Sequence, residues 1–282
     1  MSGLRIGLKL APQLTTVEEL RAVWRIADEA GFDHCWNFDH FASIGAHGNL
    51  GDVFEGWTLL GAMAEATSRV RIGCMVTGNT YRHPGVLAKM SVTVDHLSGG
   101  RLEFGLGAAW AEGEHTMLGL EFGSVGERIA RLEEACRVIE LLWSENRATF
   151  DGAHYRLADA IANPKPVQQP RPPIWIGGSG ERKTLRVVAQ HADVWNFGGG
   201  EAAEGVRLSR VLDEHCAAVG RDPAQIRRSV QLFYTGNVAQ LLEEAHEFAG
   251  NGFRDLIVGA RGGTAEADAA QIAEALPELQ GL

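Results

Sequence analysis

Apolar runs and helical periodicities alternate along the chain, most clearly over residues 70–107. Residues 70–76 are largely apolar and predict a buried strand. Pro84 suits the first turn of a helix, because its φ is fixed and its missing N–H is not needed there. Apolar side chains then recur at helical spacing over residues 86–97, and a glycine pair ends the helix. A second strand at residues 101–107 completes a predicted βαβ unit, which builds parallel sheets.

The same alternation predicts six further strands, each followed by a helix. The strands lie at residues 4–10, 32–38, 174–176, 193–197, 228–234 and 253–258. The first helix lies between the hydroxyl cap at Thr15-Thr16 and Gly31. The others lie at about residues 53–67, 127–143, 181–191, 204–219, 238–249 and beyond 258. Eight strand–helix repeats predict an α/β fold, a (β/α)₈ TIM barrel. A doubly wound sheet is the alternative, and it rarely holds this many units in a chain of this length.

Three segments fall outside the repeats. Residues 108–126 form an insertion after the fourth strand, and residues 147–157 form a small excursion around a turn at Asp151-Gly152. Residues 164–173 contain five prolines and predict an extended connector. A strand resumes directly after the connector, so we expect a single domain over residues 1–282 with insertions at the C-terminal face of the barrel.

Composition narrows the class of protein. The 282 residues carry a formal net charge of −10, which argues against a general nucleic-acid surface. Four widely spaced cysteines show no metal-ligand spacing and predict free thiols in a reducing compartment, with no metal site. The N-terminus lacks a signal-peptide core, and no apolar run approaches the ~18 residues needed to span a bilayer. We therefore expect a soluble, cytoplasmic, globular protein, and composition narrows the class no further.

In a TIM barrel the active site lies at the C-terminal ends of the strands, and this rule selects candidates. Asp39 and His40 follow the second strand, where an acid and an imidazole can hold a proton near neutral pH. The alternative is that Asp39 caps a loop and His40 packs. Trp195-Asn196 ends the sixth strand and suits an aromatic ligand that needs apolar walls and amide hydrogen bonds. The alternative is that Trp195 packs in the core and Asn196 belongs to a turn.

A glycine-rich turn, Gly177-Gly178-Ser179-Gly180, opens the helix after the fifth strand. Small residues let backbone N–H groups approach an anion at a helix N-terminus, although glycine also simply forms turns. Arg182 and Lys183 either add charge there or face solvent.

Further candidates lie near the insertion and in the loops on the same side. Trp110 follows the fourth strand and is a possible wall of the pocket. Glu112, Glu114 and His115 either face the substrate or belong to a solvated acidic loop. His47 and His83 also lie on the side of the barrel where the active site is expected.

The order and spacing of these motifs resemble the bacterial luciferase-like monooxygenase superfamily, and most closely its branch that uses the deazaflavin F420. The resemblance runs from about Ile6 to Val258 and is carried by the run from Cys74 through His83-Pro84 to residues 98–110. It implies a homodimer. It also implies that Asp39 binds the cofactor and that His40 is an acid or base.

The resemblance implies further cofactor contacts. Family members carry a non-proline cis peptide behind the flavin ring, which we place at Cys74–Met75, with Met75–Val76 as second choice. Thr77 would reach the ring or its ribityl chain, and the turn at residues 177–180 would bind the cofactor phosphate. The other residues expected at the cofactor are Cys74, Met75, Gly107, Trp195 and Asn196, and those expected at the substrate are Trp110 and Glu114.

The sequence departs from the F420-dependent sugar-phosphate dehydrogenases at one position. Trp110 stands where those enzymes have a glutamate that serves as an acid, and no basic cluster for a substrate phosphate is evident. The region around strand 7 also lacks a long insertion, so a lid that shields a flavin peroxide from water is small or absent. We therefore predict an F420-dependent oxidoreductase that transfers a hydride. The alternatives are an FMN-dependent monooxygenase with a separate flavin reductase, and a flavin-binding or degenerate barrel with a storage, sensing or structural role.

Overall fold

The computed structural model describes residues 3–45 and 50–282, and these form a closed parallel barrel. The strands are β1 (Arg5–Leu10), β2 (His34–Asn37), β3 (Arg71–Cys74), β4 (Thr77–Gly78), β5 (Leu102–Gly107), β6 (Ala148–Asp151), β7 (Arg156–Ala160), β8 (Ile174–Gly177), β9 (Val194–Phe197), β10 (Arg227–Phe233) and β11 (Asp255–Ala260). Eight of them close the barrel in the order β1, β2, β3, β5, β8, β9, β10 and β11, because β11 pairs with β1. The predicted (β/α)₈ TIM barrel is confirmed.

The helices surround the barrel in the predicted alternation. They are α1 (Val17–Ala30), α2 (Gly56–Ala66), α3 (Pro84–Leu97), α4 (Glu112–Leu118), α5 (Val125–Ser144), α6 (Thr184–His191), α7 (Ala202–Ala218), α8 (Val238–Gly250) and α9 (Ala265–Gln280). Thr16 caps α1 through its side chain, and Gly31 ends that helix with φ 91°. Among the helices of the described residues, none is both long enough and apolar enough to cross a membrane.

Two of the predicted irregular segments contain regular structure. The insertion after β5 holds the short helix α4, which buries Glu114 and His115 although its sequence is polar. The excursion near Asp151 is an antiparallel hairpin of β6 and β7. Both lie outside the barrel repeats, and so neither changes the predicted topology.

The barrel interior is filled in layers. At the N-terminal end, the buried Asp255 pairs with Arg227 (3.1 Å) and accepts from His34 (3.2 Å), and the buried Glu103 pairs with Arg71. Above this charged layer lies an apolar layer in which two indole rings meet at 4.7 Å between centroids. Its members are Trp36, Met75, Trp175, Val194 and Ile257. The C-terminal end above this layer is therefore the open end of the barrel.

Glycines in the barrel strands admit the neighbouring backbone. A Cβ on Gly105 would lie 2.0 Å from the Cys74 carbonyl oxygen, whereas a Cβ on Gly61, inside α2, would meet nothing within 4 Å. We expect Gly105→Ala to lower the free energy of unfolding by about 2 kcal/mol or more, because backbone must move to admit the methyl group. Gly61→Ala, the matched control, should raise it by roughly 0.5–1 kcal/mol, because alanine favours a helix interior.

Urea denaturation of both variants measures whether the free energy of unfolding falls in Gly105→Ala and rises in Gly61→Ala. A Gly105→Ala protein as stable as the wild type would contradict the tight contact between β3 and β5.

Candidate active site

A cavity of about 550 Å³, here called the main cavity, opens at the C-terminal ends of the barrel strands. Its size falls within the range of small-molecule and cofactor sites. Ten of the residues selected from the sequence line it: Asp39, His40, Met75, Thr77, Gly107, Trp110, Gly177, Gly178, Ser179 and Asn196. The strand-end rule and the family resemblance thus selected residues from five parts of the chain that meet at this cavity.

Four other selected residues do not line the main cavity. Cys74 is buried in the core between strands and helices, and burial raises the pKa of its thiol well above the usual value. Trp195 is also buried, and its indole N–H donates to the Gly178 carbonyl (2.8 Å), so it supports the glycine-rich turn from behind. Gly180 lies against Thr184, whose Oγ1 would be 2.6 Å from an added Cβ. Glu114 is buried behind the cavity wall, where its carboxylate contacts His40 Nδ1 (3.0 Å).

The non-proline cis peptide lies at Met75–Val76. The first placement, Cys74–Met75, is wrong, and the second is correct. The ladder between β2 and β3 still includes Met75, whose N–H donates to the Asn37 carbonyl (2.9 Å), and the cis bond follows that residue. Beyond that point the Val76 side chain lies close to Gly107, where an added Cβ would approach it to 2.7 Å.

Asp39 forms a buried ion pair with Arg82. The carboxylate is 2% exposed and accepts two bonds from the guanidinium (2.7 and 2.9 Å) and one from the Gly78 N–H (3.1 Å). Burial raises the pKa of Asp39, and the bonds from Arg82 oppose the rise. Arg82 also bonds Glu55. Sequence reasoning missed Arg82, although a buried carboxylate at a strand end requires a nearby cation.

His40 is held by a buried carboxylate. Its Nδ1 lies 3.0 Å from Glu114 Oε1, which also accepts from the Ala42 N–H (3.2 Å), and the Tyr81 hydroxyl donates to the other oxygen. Burial opposes ionisation of Glu114, but the bonds from His40, Tyr81 and Ala42 hold its pKa below the usual value. An ionised carboxylate can only accept, so His40 Nδ1 carries the hydrogen.

Aromatic rings bracket His40 on two sides. Its ring meets Phe38 edge-on at 4.8 Å and Trp110 at 5.3 Å between centroids. Trp110 is 66% exposed and lines the main cavity. In the described residues, Nε2 of His40 has no hydrogen-bond partner, and it is therefore the nitrogen that remains for a ligand.

The glycine-rich turn and a buried arginine line the same cavity. Gly178 has φ 131°, which favours glycine, and Ser179 follows it at the cavity. Arg128 of α5 is 8% exposed and donates to the Gly123 carbonyl (2.7 Å), while its Nε is buried without a partner. This arginine was not selected from the sequence, because nothing local distinguishes it from the other arginines of a surface helix.

A chain of polar side chains crosses the barrel at the base of the main cavity. Lys9 Nζ donates to Gln231 Oε1 (2.6 Å), Gln231 Nε2 to Asn196 Oδ1 (2.9 Å), and Asn196 Nδ2 to Ser229 Oγ (3.0 Å). The amide of Asn196 is therefore occupied by protein partners. Lys9 and Gln231 line the cavity and were not predicted. Lys9 could have been selected from the sequence, since a charged residue near the end of a largely apolar strand is unusual.

The remaining candidates lie away from the main cavity. His83 is the N-cap of α3 and accepts from the Gly85 N–H (3.1 Å), and Glu112, Arg182 and Lys183 are exposed. His47 lies outside the described residues. In residues 3–45 and 50–282, no group of three or more His, Cys, Asp or Glu side chains is placed to hold a metal ion.

The sequence also has recognisable relatives. It is 33% identical over 254 residues to an F420-dependent glucose-6-phosphate dehydrogenase of Kineococcus radiotolerans, covering 87% of this chain and 73% of the relative. It is 27% identical over 241 residues to an FMNH(2)-dependent dimethylsulfone monooxygenase of Pseudomonas putida, covering 83% and 64%.

The fold has close structural neighbours. An F420-dependent secondary alcohol dehydrogenase, solved in complex with an F420-acetone adduct, matches with a TM-score of 0.89 at 18% identity, and the match covers 99% of both chains. At this level of identity the likeness shows a shared fold. The sequence model described as luciferase-like monooxygenase matches residues 4–280, nearly the full length. The chain therefore belongs to the luciferase-like monooxygenase family.

Proposed function

We propose that this oxidoreductase uses F420 and transfers a hydride between the deazaflavin and a small organic substrate. The observation that carries the proposal is the His40–Glu114 contact of 3.0 Å at the edge of the main cavity, since it presents a proton-handling nitrogen to a bound substrate. The relative from Kineococcus radiotolerans, which is named for F420 dependence, supports the choice of cofactor.

The residues of the main cavity suit a tricyclic phosphate cofactor. Met75 and Val76 supply apolar walls, and the absence of a side chain at Gly107 leaves room beside them. The backbone at Gly178 and the guanidinium of Arg128, both of which line the cavity, suit a phosphate. When bound, F420 supplies a two-electron centre that accepts or donates a hydride.

The protein's own task is to position the reactants and manage one proton. Oxidation of an alcohol releases a hydroxyl proton, and reduction of a carbonyl requires one. With Nδ1 fixed by the Glu114 carboxylate, His40 Nε2 accepts that proton in the first direction and returns it in the second. Phe38 and Trp110 limit rotation of the imidazole ring.

The second candidate is an FMN-dependent monooxygenase that receives reduced flavin from a separate reductase. The relative from Pseudomonas putida favours it. Oxygen chemistry requires exclusion of water from the site. Only residues 234–237 connect β10 to α8, so no long loop covers the cavity from that side. This short connection makes hydride transfer without oxygen the preferred function.

Cofactor choice is tested by titrating the purified protein with F420 and FMN, each oxidised and reduced, using fluorescence or calorimetry. We expect F420 to bind at least about tenfold more tightly than FMN, a difference of ~1.4 kcal/mol. The opposite preference would favour the monooxygenase function. Binding of neither cofactor would contradict the assignment of the main cavity.

Phosphate binding by Arg128 is tested with Arg128→Gln. We expect roughly tenfold weaker F420 binding, because a charge-assisted hydrogen bond contributes about 1.5–3 kcal/mol. Binding of the deazaflavin riboside, which lacks the phosphate, should not change. The control is Arg131→Gln on the same helix, whose guanidinium already pairs with Glu121 (2.8 Å). Equal loss of riboside and F420 affinity would mean that Arg128 shapes the cavity without binding phosphate.

The role of Glu114 is tested by ¹⁵N NMR of His40 in the wild type and in Glu114→Gln. We expect the wild-type neutral imidazole to carry its hydrogen on Nδ1, and the variant to show a mixture of tautomers, because the amide can donate as well as accept. Turnover should fall by about 10²-fold with F420 affinity unchanged. The exposed Glu112→Gln, on the same helix, is the control. An unchanged His40 spectrum in Glu114→Gln would refute the assignment.

A further inference from the structure

A second cavity of about 440 Å³, here called the side cavity, adjoins the main cavity. The two share Lys9, Phe38, Ile44, Gln231 and Phe233 as a common boundary. The side cavity lies over the C-terminal ends of β1, β10 and β11. Its own walls are largely apolar and include Leu14, Leu232, Tyr234, Ile257 and Ala260. A molecule in this space would lie next to whatever occupies the main cavity.

Lys9 stands at this boundary in a fixed position. Its strand places it in register with Trp36 of β2 on one side and with Gly259 of β11 on the other. The ammonium donates to Gln231 Oε1 (2.6 Å), and Gln231 is held in turn by Asn196 (2.9 Å). The amide chain therefore fixes the lysine head between the two cavities.

The positive charge of Lys9 is not compensated by the protein. Within residues 3–45 and 50–282, no carboxylate lies within 4.0 Å of Nζ, and Gln231 is its one hydrogen-bond partner. An ammonium has three N–H donors, so two remain for a ligand. Burial lowers the pKa of Lys9 to about 8, which still leaves it mostly charged at neutral pH. A half-buried cation without a counter-ion is unfavourable, and an anionic ligand would remove that cost.

The other cation of the side cavity is already paired. Arg261 donates to both carboxylate oxygens of Asp268 (2.8 and 2.7 Å) and to the Thr235 carbonyl (3.1 Å). Its charge is therefore balanced within the protein. The described residues of the side cavity offer a single uncompensated positive charge among apolar walls.

We propose that the side cavity binds the acid end of the substrate, and that the substrate is a small, largely apolar monocarboxylate whose carboxylate is held by Lys9 Nζ while its reacting end extends across the shared boundary toward His40 in the main cavity. One free ammonium matches a monoanion, whereas a phosphate dianion needs more positive charge than this cavity supplies. Apolar walls would also leave the hydroxyl groups of a sugar without partners. The proposal rests on the proposed function, because it assigns the main cavity to the cofactor.

The test uses cyclohexanecarboxylate and its uncharged analogue cyclohexanecarboxamide as probes. Each is titrated by calorimetry into the wild type, Lys9→Met and the control Lys89→Met, with and without F420. Lys89 is exposed on α3, and its substitution makes the same change of charge far from both cavities. We expect the carboxylate to bind at least about tenfold more tightly than the amide in the wild type and in Lys89→Met. Lys9→Met should lose this preference and keep its F420 affinity.

A second variant, Gly259→Leu, tests the location of the bound carboxylate. An added Cβ there would lie 3.6 Å from the Leu232 carbonyl oxygen and 3.9 Å from the Phe233 ring, so the backbone can admit it. Gly259 lines the side cavity and not the main cavity. We expect Gly259→Leu to weaken carboxylate binding at least about tenfold and to leave F420 binding unchanged.

Several outcomes would overturn the proposal. They are absence of carboxylate binding, equal binding of the two probes to the wild type, retention of the preference in Lys9→Met, and loss of F420 affinity in Lys9→Met. The last outcome would place Lys9 at the cofactor. If the wild type fails to bind F420, the proposed function fails, and titration of the unloaded protein still decides whether Lys9 holds a carboxylate.

Discussion

The buried ion pair of Asp39 and Arg82 is the interaction on which the site depends. The carboxylate closes the end of β2, accepts from Gly78 in β4, and takes two bonds from a guanidinium in the loop before α3. Arg82 also reaches Glu55, which caps α2. Removing one partner of such a pair costs about 3–5 kcal/mol, because the other charge is left uncompensated. His40 follows Asp39 directly, so the ion pair also fixes the backbone position from which the imidazole extends.

The layers inside the barrel explain why chemistry is confined to one end. Charges paired around Asp255 and Glu103 close the N-terminal end, and the indoles of Trp36 and Trp175, which meet edge to face, fill the middle. Water and ligands therefore reach the interior from the C-terminal end alone among the described parts of the barrel. In the layer above the indoles, toward the C-terminal end, the barrel contains glycines and a chain of polar side chains that ends at Lys9. The same strands thus build a sealed core and an open site.

Periodicity predicted the barrel, and the strand-end rule together with the family resemblance selected many residues of the main cavity. The alternation of elements is a local property, and α3 was predicted with the observed bounds, Pro84–Leu97. Contacts between distant segments could not be predicted in this way. Glu114 meets His40 across 74 positions of sequence, and that contact depends on how the insertion folds over the barrel. Arg82 lies between β4 and α3, and its partner is known only once β2 and the loop before α3 are adjacent.

The cations around the two cavities fall into two groups, and the difference between them indicates where ligands bind. Arg82 and Arg261 are each balanced by a buried carboxylate. Arg128 and Lys9 have no carboxylate within 4.0 Å among the described residues, although both are enclosed by the fold. An unbalanced buried charge destabilises the unliganded protein, and an anion that binds it stabilises the folded state. Arg128 borders the main cavity alone and Lys9 borders both, so the two free charges suit two different anions: a cofactor phosphate at one and a substrate carboxylate at the other.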